Sequence, residues 1–480
     1  MKNRILCLSA FLVAMGFTLI SRADFTIGQN FTGSTYRGNS GFIPPDTNGA
    51  VGNAYYVELI NGSYTAYRKS DGVAVQRSSL DRFWSNAGVS AQNFAFDPRI
   101  VYDKESGHWF AAALDNPGVA NSYLVAVSNS ADPTGGWKAF KIASDSTGTR
   151  WADFPTLGVN SQGVYIGANM FPVSGTADTL VNVLVLPKAD LIAPTPVVSN
   201  HTLFSNVNPS DIGFSVQPVV NLNANTTLPE TLISAFDTNQ LKRSDITGSI
   251  TSPTLSLTAG SGVPNPFVTL PTYNQSVTAI QPGGAAALDA SDSRLYSSLV
   301  QQGNNIWGVQ GVQANGHEAI RWVRLDATNN TLQETGLIAS GTRDYFIGSI
   351  AVNPNGDVVI GFSGSDINTF ASAFAVSGHL TGSTTSFDTV QLLKAGVASY
   401  EVIANGENRW GDYSSTTLDP NDSSRFWTIQ EYASATNVWS TQVTEIRVGN
   451  FVPEPASWMM LGLGIAACWI RHRYVGKSVA

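Results

Sequence analysis

Residues 101–114 read VYDKESGHWFAAAL: an apolar approach, a polar turn from Asp103 to Gly107, and a second apolar run that opens on His108-Trp109. Two β-prone runs separated by such a turn are the signature of a hairpin. The same figure recurs along the chain. It appears as VGNAYYVELI from Val51, VNSQGVYIGANMF from Val159, VNLNANTTLPETLISAF from Val220, LDASDSRLYSSLV from Leu288, VNPNGDVVIGFS from Val352 and LDPNDSSRFWTIQEY from Leu418. Successive copies start roughly fifty to seventy residues apart, the length that a four-stranded sheet and its loops consume. A sheet that thin cannot bury both faces alone, whereas radial stacking buries them against neighbours and shortens exposed edges. The spacing therefore predicts an all-β chain whose residues 45–450 form a β-propeller of seven blades. Six or eight blades fit as well if the Ser/Thr/Pro-rich residues 244–275 hide a degenerate blade instead of a surface loop. Two β-sandwich domains are the competing arrangement. Residues 24–44, rich in Gly, Ser, Thr and Asn, read as a lead-in strand or loop.

Composition agrees with strands. The 480 residues are 43% hydrophobic and only 13% charged, enough apolar material for a large core. Six basic residues, Lys2, Arg4, Arg22, Arg471, Arg473 and Lys477, lie in the terminal segments. Setting them and Glu454 aside leaves 21 basic against 34 acidic residues, so nucleic acid is excluded as a natural partner of the body. Both cysteines, Cys7 and Cys468, are terminal too, which leaves the body without disulfides.

The ends carry addresses. Lys2 and Arg4 precede an apolar stretch over residues 5–20, and Ser21-Arg22-Ala23 offers small residues where a signal peptidase reads. Residues 1–23 are thus expected to be a signal peptide cleaved after Ala23. At the other end Val452-Pro453-Glu454-Pro455-Ala456-Ser457 is followed by an apolar run over residues 458–470 and then Arg471-His472-Arg473. Positive flanking charge would hold that end in the cytoplasm and leave the body outside. Residues 451–480 closely resemble the PEP-CTERM sorting signal of Gram-negative bacteria. The resemblance implies a short transmembrane sorting helix, transient inner-membrane anchoring, cutting by an exosortase near Pro453, Glu454 and Pro455, and display on the cell surface or in an extracellular matrix. It also implies association with extracellular polysaccharide.

A second repeat bears on a site. Arg150-Trp151-Ala152-Asp153-Phe154 and Arg409-Trp410-Gly411-Asp412-Tyr413 share one pattern, and Asp46 in PPDTNGAVG and Asp97 in FDPRIVYD stand ahead of their own strands. In a closed ring Asp46, Asp97, Asp153 and Asp412, with Arg99, Arg150 and Arg409, would meet at one rim of the central funnel. Carboxylates there suit sugar hydroxyls or Ca²⁺, although no cofactor is required. Arg–Asp pairing between blades and tryptophans packed in their interfaces would leave the same sequence.

Ser130-Ala131-Asp132-Pro133-Thr134-Gly135-Gly136-Trp137 looks like the Asp-box of sialidases and related propellers, with its glycines displaced by one position. That likeness implies a stabilised hairpin, with Asp132 capping its turn and Trp137 filling an interface. A sialidase-like hydrolase would also need three clamping arginines and a Tyr activated by Glu. Arg99, Arg150, Arg343 and Arg409 are on hand, but Glu431 and Tyr432 adjoin on one strand and so face opposite ways. His108, His201, His317 and His379 are too scattered for a zinc site. The body as a whole resembles secreted bacterial propeller proteins through PPDTNGAVG, DPRIVYD, DPTGGW and RWGDYSSTTLDP, a likeness that implies architecture and supplies no activity. The expectation is a noncatalytic binding module for polysaccharide or another surface partner. A glycoside hydrolase and a structural surface protein without a small ligand are the alternatives.

Overall fold

The central strands of the body are built for burial on both faces: in Asp344–Val352 and Asp357–Asp366 every residue is buried, whereas outer strands such as Ala74–Ser78 are largely exposed. The central strands cannot face water, and each sheet meets a neighbour on either side. The computed structural model describes residues 25–258, 265–276 and 278–449. Five separate antiparallel sheets have four or five strands each, and a further sheet has ten. The ten-stranded sheet consists of two four-stranded runs, one beginning at Arg150–Val159 and the other at Val300–Gln302, with the two-residue strand Asn274–Gln275 added beside Asn305–Ala314. The short strand Val220–Asn221 welds them, pairing in parallel with Val159 on one side and with Val300 and Gln301 on the other.

Core clusters join each unit to the next. Leu124 and Trp109 pack on Val57 and Tyr64, and Phe110 and Val125 pack on Leu157 and Ile166. Tyr165 and Val183 meet Val216 and Leu232, Ile233 and Leu241 meet Ile306 and Val323, and Trp307 and Ile320 meet Ile350 and Ile360. Val359 and Ala373 then meet Phe426 and Ile446. Val51, Tyr56 and Tyr67 against Trp427, Ile429 and Val443 return the series to its start. The body is a closed all-β propeller, and paired sandwiches are excluded.

The closing sheet is a composite. Its inner strands Ser415–Leu418, Arg425–Ala435 and Val438–Arg447 come from the end of the body, while its outermost strand, Thr26–Thr35, comes from the beginning. Residues 36–45 then cross the face of the ring to reach the first inner strand.

The hairpins at Val51, Val101, Val159, Val352 and Leu418 are the innermost pairs of their sheets. Two others differ. The inner strand near Val220 is Phe214–Pro218, because Val220 and Asn221 form the parallel weld. Leu288–Asp289 pairs with Thr278–Ala279, and the hairpin of that region is Val300–Gln302 with Asn305–Ala314. Residues 244–275 are neither an extra blade nor simply a loop. Part of them completes Gln240–Ser249, and Ser252–Ser256 and Phe267–Thr269 both pair with that strand.

The expected signal peptide with Ala23, and the sorting segment with Pro453, Glu454 and Pro455, lie outside the described residues. Among the described residues no helix is long and apolar enough to cross a membrane.

Candidate functional site

Four inner strands, and the approach to a fifth, kink to left-handed backbone. Asp46, Asp97, Phe154, Ser215 and Ile347 all adopt left-handed backbone with φ between 48° and 53°. Each costs an L-residue roughly 1–2 kcal/mol, and the ladder skips at four of them. Side chains of neighbouring units hold the kinks. Asn61 accepts from Asp97 N (2.8 Å), Asn121 from Ala152 N (2.8 Å) and Asn169 from Ser215 N (2.8 Å). Asp97 Oδ2 accepts from Phe154 N (3.1 Å), and Asp46 Oδ1 from Asp412 N (2.9 Å). Asp46 and Asp97 therefore clasp adjacent units together, the structural role that their positions also allowed.

Above the kinks opens a cavity of about 830 Å³, whose lining includes Asp46, Asp97, Asp153, Arg409 and Asp412. Five of the seven rim residues expected from sequence are thus brought together. Arg99 and Arg150 are not among them, for separate reasons. Arg99, 2% exposed, lies beneath the carboxylates as a plug of the channel. Its guanidinium donates to the carbonyls of Pro155 (2.8 Å) and Tyr296 (3.1 Å) and stacks 3.3 Å from the Tyr413 ring centroid, while Tyr413 Oη donates to the Pro98 carbonyl (3.0 Å). Arg150 turns outward to the carbonyls of Met170 and Asp178 (3.0 and 2.5 Å).

The two RW[AG]D[FY] repeats share their aspartates at the cavity and their last aromatics, Phe154 and Tyr413, which both face the Arg99 guanidinium, but their tryptophans differ. Trp151 lines the cavity, whereas Trp410 is fully buried against Tyr400 and Phe346 and donates to Ser363 Oγ (3.2 Å). Gly411 is required where it stands: a Cβ there would lie 2.8 Å from Glu431 Oε2, which accepts the Gly411 N–H at 2.9 Å.

Sequence reasoning missed Arg294, Asp289 and Asp292, which also line the cavity. Arg294 is held in a fork by Asp292 (2.8 and 2.6 Å). The one signal for them was the acidic and basic residues inside LDASDSRLYSSLV, which looked like turn polarity. An aromatic row was missed too. Phe42, Phe94, Phe96, Trp151 and Phe171 all line the cavity, with successive centroids 5.6, 5.8, 6.4 and 5.7 Å apart.

The carboxylates perturb one another. Burial, then Asp412 and Asp97, hold the Asp46 carboxyl well above its usual range. Burial, then Asp153 and Asp412, push Asp97 up to about 8. Asp153 is raised to about 6 by burial and Asp412. Glu431, behind Gly411, is raised by burial with help from Asp46 and Asp412. Burial opposes ionisation of Asp292, yet its bonds to Arg294 and that residue's charge keep it below the usual range.

No three-arginine clamp forms around this cavity. Arg409 is committed to Asp412 (3.0 Å), Glu407 (3.4 Å) and Asp289 (3.7 Å), and Arg343 pairs with Asp366 (2.7 Å). Glu431 and Tyr432 point apart, the former to Gly411 and the latter to Thr32 Oγ1 (3.0 Å). Among the described residues no group of three or more His, Cys, Asp or Glu side chains is placed to hold a metal ion. The Asp46 oxygens accept from the Asp412 backbone N–H and the Asn61 side-chain amide. The Asp-box-like turn is structural: Asp132 accepts from Thr134 N (2.9 Å), and Trp137 packs on Phe83, centroids 5.1 Å apart.

Fold and site together define a propeller with an acidic, aromatic-walled cavity at one mouth. Residues 451–473 match the PEP-CTERM protein-sorting motif, which implies export, exosortase processing and sorting to the cell surface. No curated protein sequence matches the chain. Among solved structures, the sialidase of Trypanosoma rangeli with the inhibitor DANA is similar at 10% identity and a TM-score of 0.36, covering 94% of this chain and 64% of its own. This chain therefore spans somewhat less than two thirds of that relative. An endo-arabinase from Bacteroides thetaiotaomicron is similar at 11% identity and a TM-score of 0.30, covering 67% of this chain and 98% of its own. A thermostable family-43 glycoside hydrolase is similar at 8% identity and a TM-score of 0.36, with 73% and 95% covered. The activities of those proteins decide nothing about this one.

Proposed function

We propose that the cavity is a noncatalytic binding site for a polysaccharide chain and that the mature protein is a seven-bladed propeller, with the ten-stranded sheet counting as two blades. The observation that carries the reading is the row of five aromatic rings set along a cavity whose polar lining is dominated by carboxylates, with amides, hydroxyls and the carboxylate-paired Arg294 and Arg409 beside them. Sugar rings present apolar faces to aromatic side chains and hydroxyls to polar ones, so a wall of each kind suits them. The chain would start at Asp24 and end near Pro453 or Pro455 after signal peptidase and an exosortase have acted. Its place would be the surface or extracellular matrix of a Gram-negative cell, reached through transient inner-membrane anchoring.

Retention on matrix polysaccharide tests this directly. The secreted protein is expected to bind without releasing reducing ends, and Trp151→Ala to weaken retention about tenfold, the ~1.4 kcal/mol typical of one lost stacking platform. Unchanged retention in Trp151→Ala removes the aromatic wall from the site. One observation favours a hydrolase as second reading: the raised Asp97 offers a proton beside Asp153 at neutral pH. Steady release of reducing ends, abolished by Asp97→Asn, would replace the first reading with that one.

A further inference from the structure

We infer that the sugar this cavity selects bears free amino groups, so that its ligand is a de-N-acetylated hexosamine chain. The inference deepens the polysaccharide reading and rests on it. Its first support is the charge inventory of the cavity wall. Seven carboxyl groups, Asp46, Asp97, Asp153, Asp289, Asp292, Glu407 and Asp412, face two cations, Arg294 and Arg409. Both cations are spent on carboxylates, Arg294 in its fork with Asp292 and Arg409 on Asp412, Glu407 and Asp289. Arg99 below the floor donates to carbonyls, and its Nη2 is buried without a hydrogen-bond partner, so it closes no carboxylate's valence in the cavity. An anionic sugar would meet excess negative charge and no free guanidinium, while a neutral sugar would leave that charge uncompensated.

The second support is the aromatic row, which is independent of the acids. An ammonium group gains from the face of an aromatic ring as well as from a carboxylate, and Trp151 sits in the same cavity as Asp153. A 2-amino sugar carries both features at once, a flat apolar face for the ring and a cation at its edge for the acids.

The protonation pattern adds a signature. Burial and mutual repulsion, with Asp412 contributing, raise Asp46, Asp97 and Asp153 despite the opposing charges of Arg99 and Arg294; Arg409, Glu431 and Tyr413 complete the ionisable groups facing them. An arriving ammonium favours the ionised acids and so expels protons to solvent.

Isothermal titration of the full secreted protein at about pH 6 distinguishes the outcomes. The probes are a β-1,4-linked glucosamine tetramer and its N-acetylated counterpart, each in two buffers of different ionisation enthalpy. The expected result is at least about tenfold tighter binding of the amine tetramer, a buffer-dependent heat reporting proton release, and loss of most of the preference in Asp153→Asn. Asp412→Asn serves as the second variant, and melting temperatures verify that both fold. Equal affinity for the two tetramers, or tighter binding of the acetylated one, overturns the amine assignment while leaving polysaccharide binding intact. Failure of both tetramers to bind, with matrix polysaccharide also ignored, overturns the underlying reading itself.

Discussion

Arg99→Ala separates a structural plug from a ligand contact. The guanidinium spans four units of the ring: it originates on Ala95–Asp103, donates to carbonyls of Pro155 and Tyr296, and stacks on Tyr413. Removing it strands two buried carbonyl acceptors, at about 1–3 kcal/mol each, and forfeits a desolvated cation–π contact of about 2 kcal/mol. It also takes away a positive charge that favours the ionised form of Asp97. Against these losses stand the desolvation of the guanidinium and its unbonded Nη2, both relieved by the change. The net expectation is a loss of about 3–5 kcal/mol, the range for deleting one member of a buried charged group. Urea unfolding followed by tryptophan fluorescence measures it, with Arg99→Met keeping part of the packing and losing somewhat less. An Arg99→Ala protein within about 1 kcal/mol of the parent, but unable to hold polysaccharide, would refute this account and return Arg99 to the binding rim.

Other perturbations follow from the same contacts. Because Asp97 and Asp153 are raised in the folded state, the native protein holds more protons than the unfolded chain from about pH 4 upward. Their contribution to stability is complete at low pH and is lost as pH climbs through about 6 and about 8, so melting temperature should fall across that window and Asp97→Asn should flatten the fall; a rise across the same window contradicts it. Trp137→Ala empties an aromatic interface with Phe83 and Tyr64 and should cost about 3–5 kcal/mol without altering sugar retention, as equilibrium unfolding and pull-down would show. Deleting residues 26–35 uncovers the edge of Val438–Arg447 and should yield an aggregating protein by light scattering; a soluble monomer with native stability would deny the strand its closing role. Mass spectrometry of the exported protein should give a first residue of Asp24 and no Ala480.

How much of this was readable in advance depends on which residues carried a local signal. Turns such as Asn355-Gly356 and Ser106-Gly107 demand left-handed backbone at the glycine, φ 81° and 69°, and glycine supplies it. Hairpins built on them could be found from the chain alone. The parallel weld at Val220 could not, because its partner Val300 is 80 residues away, and the Leu288 segment misled because it pairs back with Ala279 in a two-stranded ribbon instead of opening a hairpin with the residues after it. Convergence of Asp46, Asp97, Asp153 and Asp412 followed from repetition. The different fates of Arg99, Arg150 and Arg409 did not, since a guanidinium reaches several acceptors from one backbone position and only the packed neighbours choose among them. Phe42 and Phe94 lie outside the repeated motifs, and Phe171 only closes one of them, which is why the aromatic wall stayed hidden.

The mixed parentage of the last sheet bears on how the ring assembles. Thr26–Thr35 is synthesised first and Val438–Arg447 roughly four hundred residues later, yet these two strands hydrogen-bond side by side. The fastener therefore needs both ends of the body, so the ring cannot be completed by any partial chain, and its last contacts are among the longest in sequence that the fold makes.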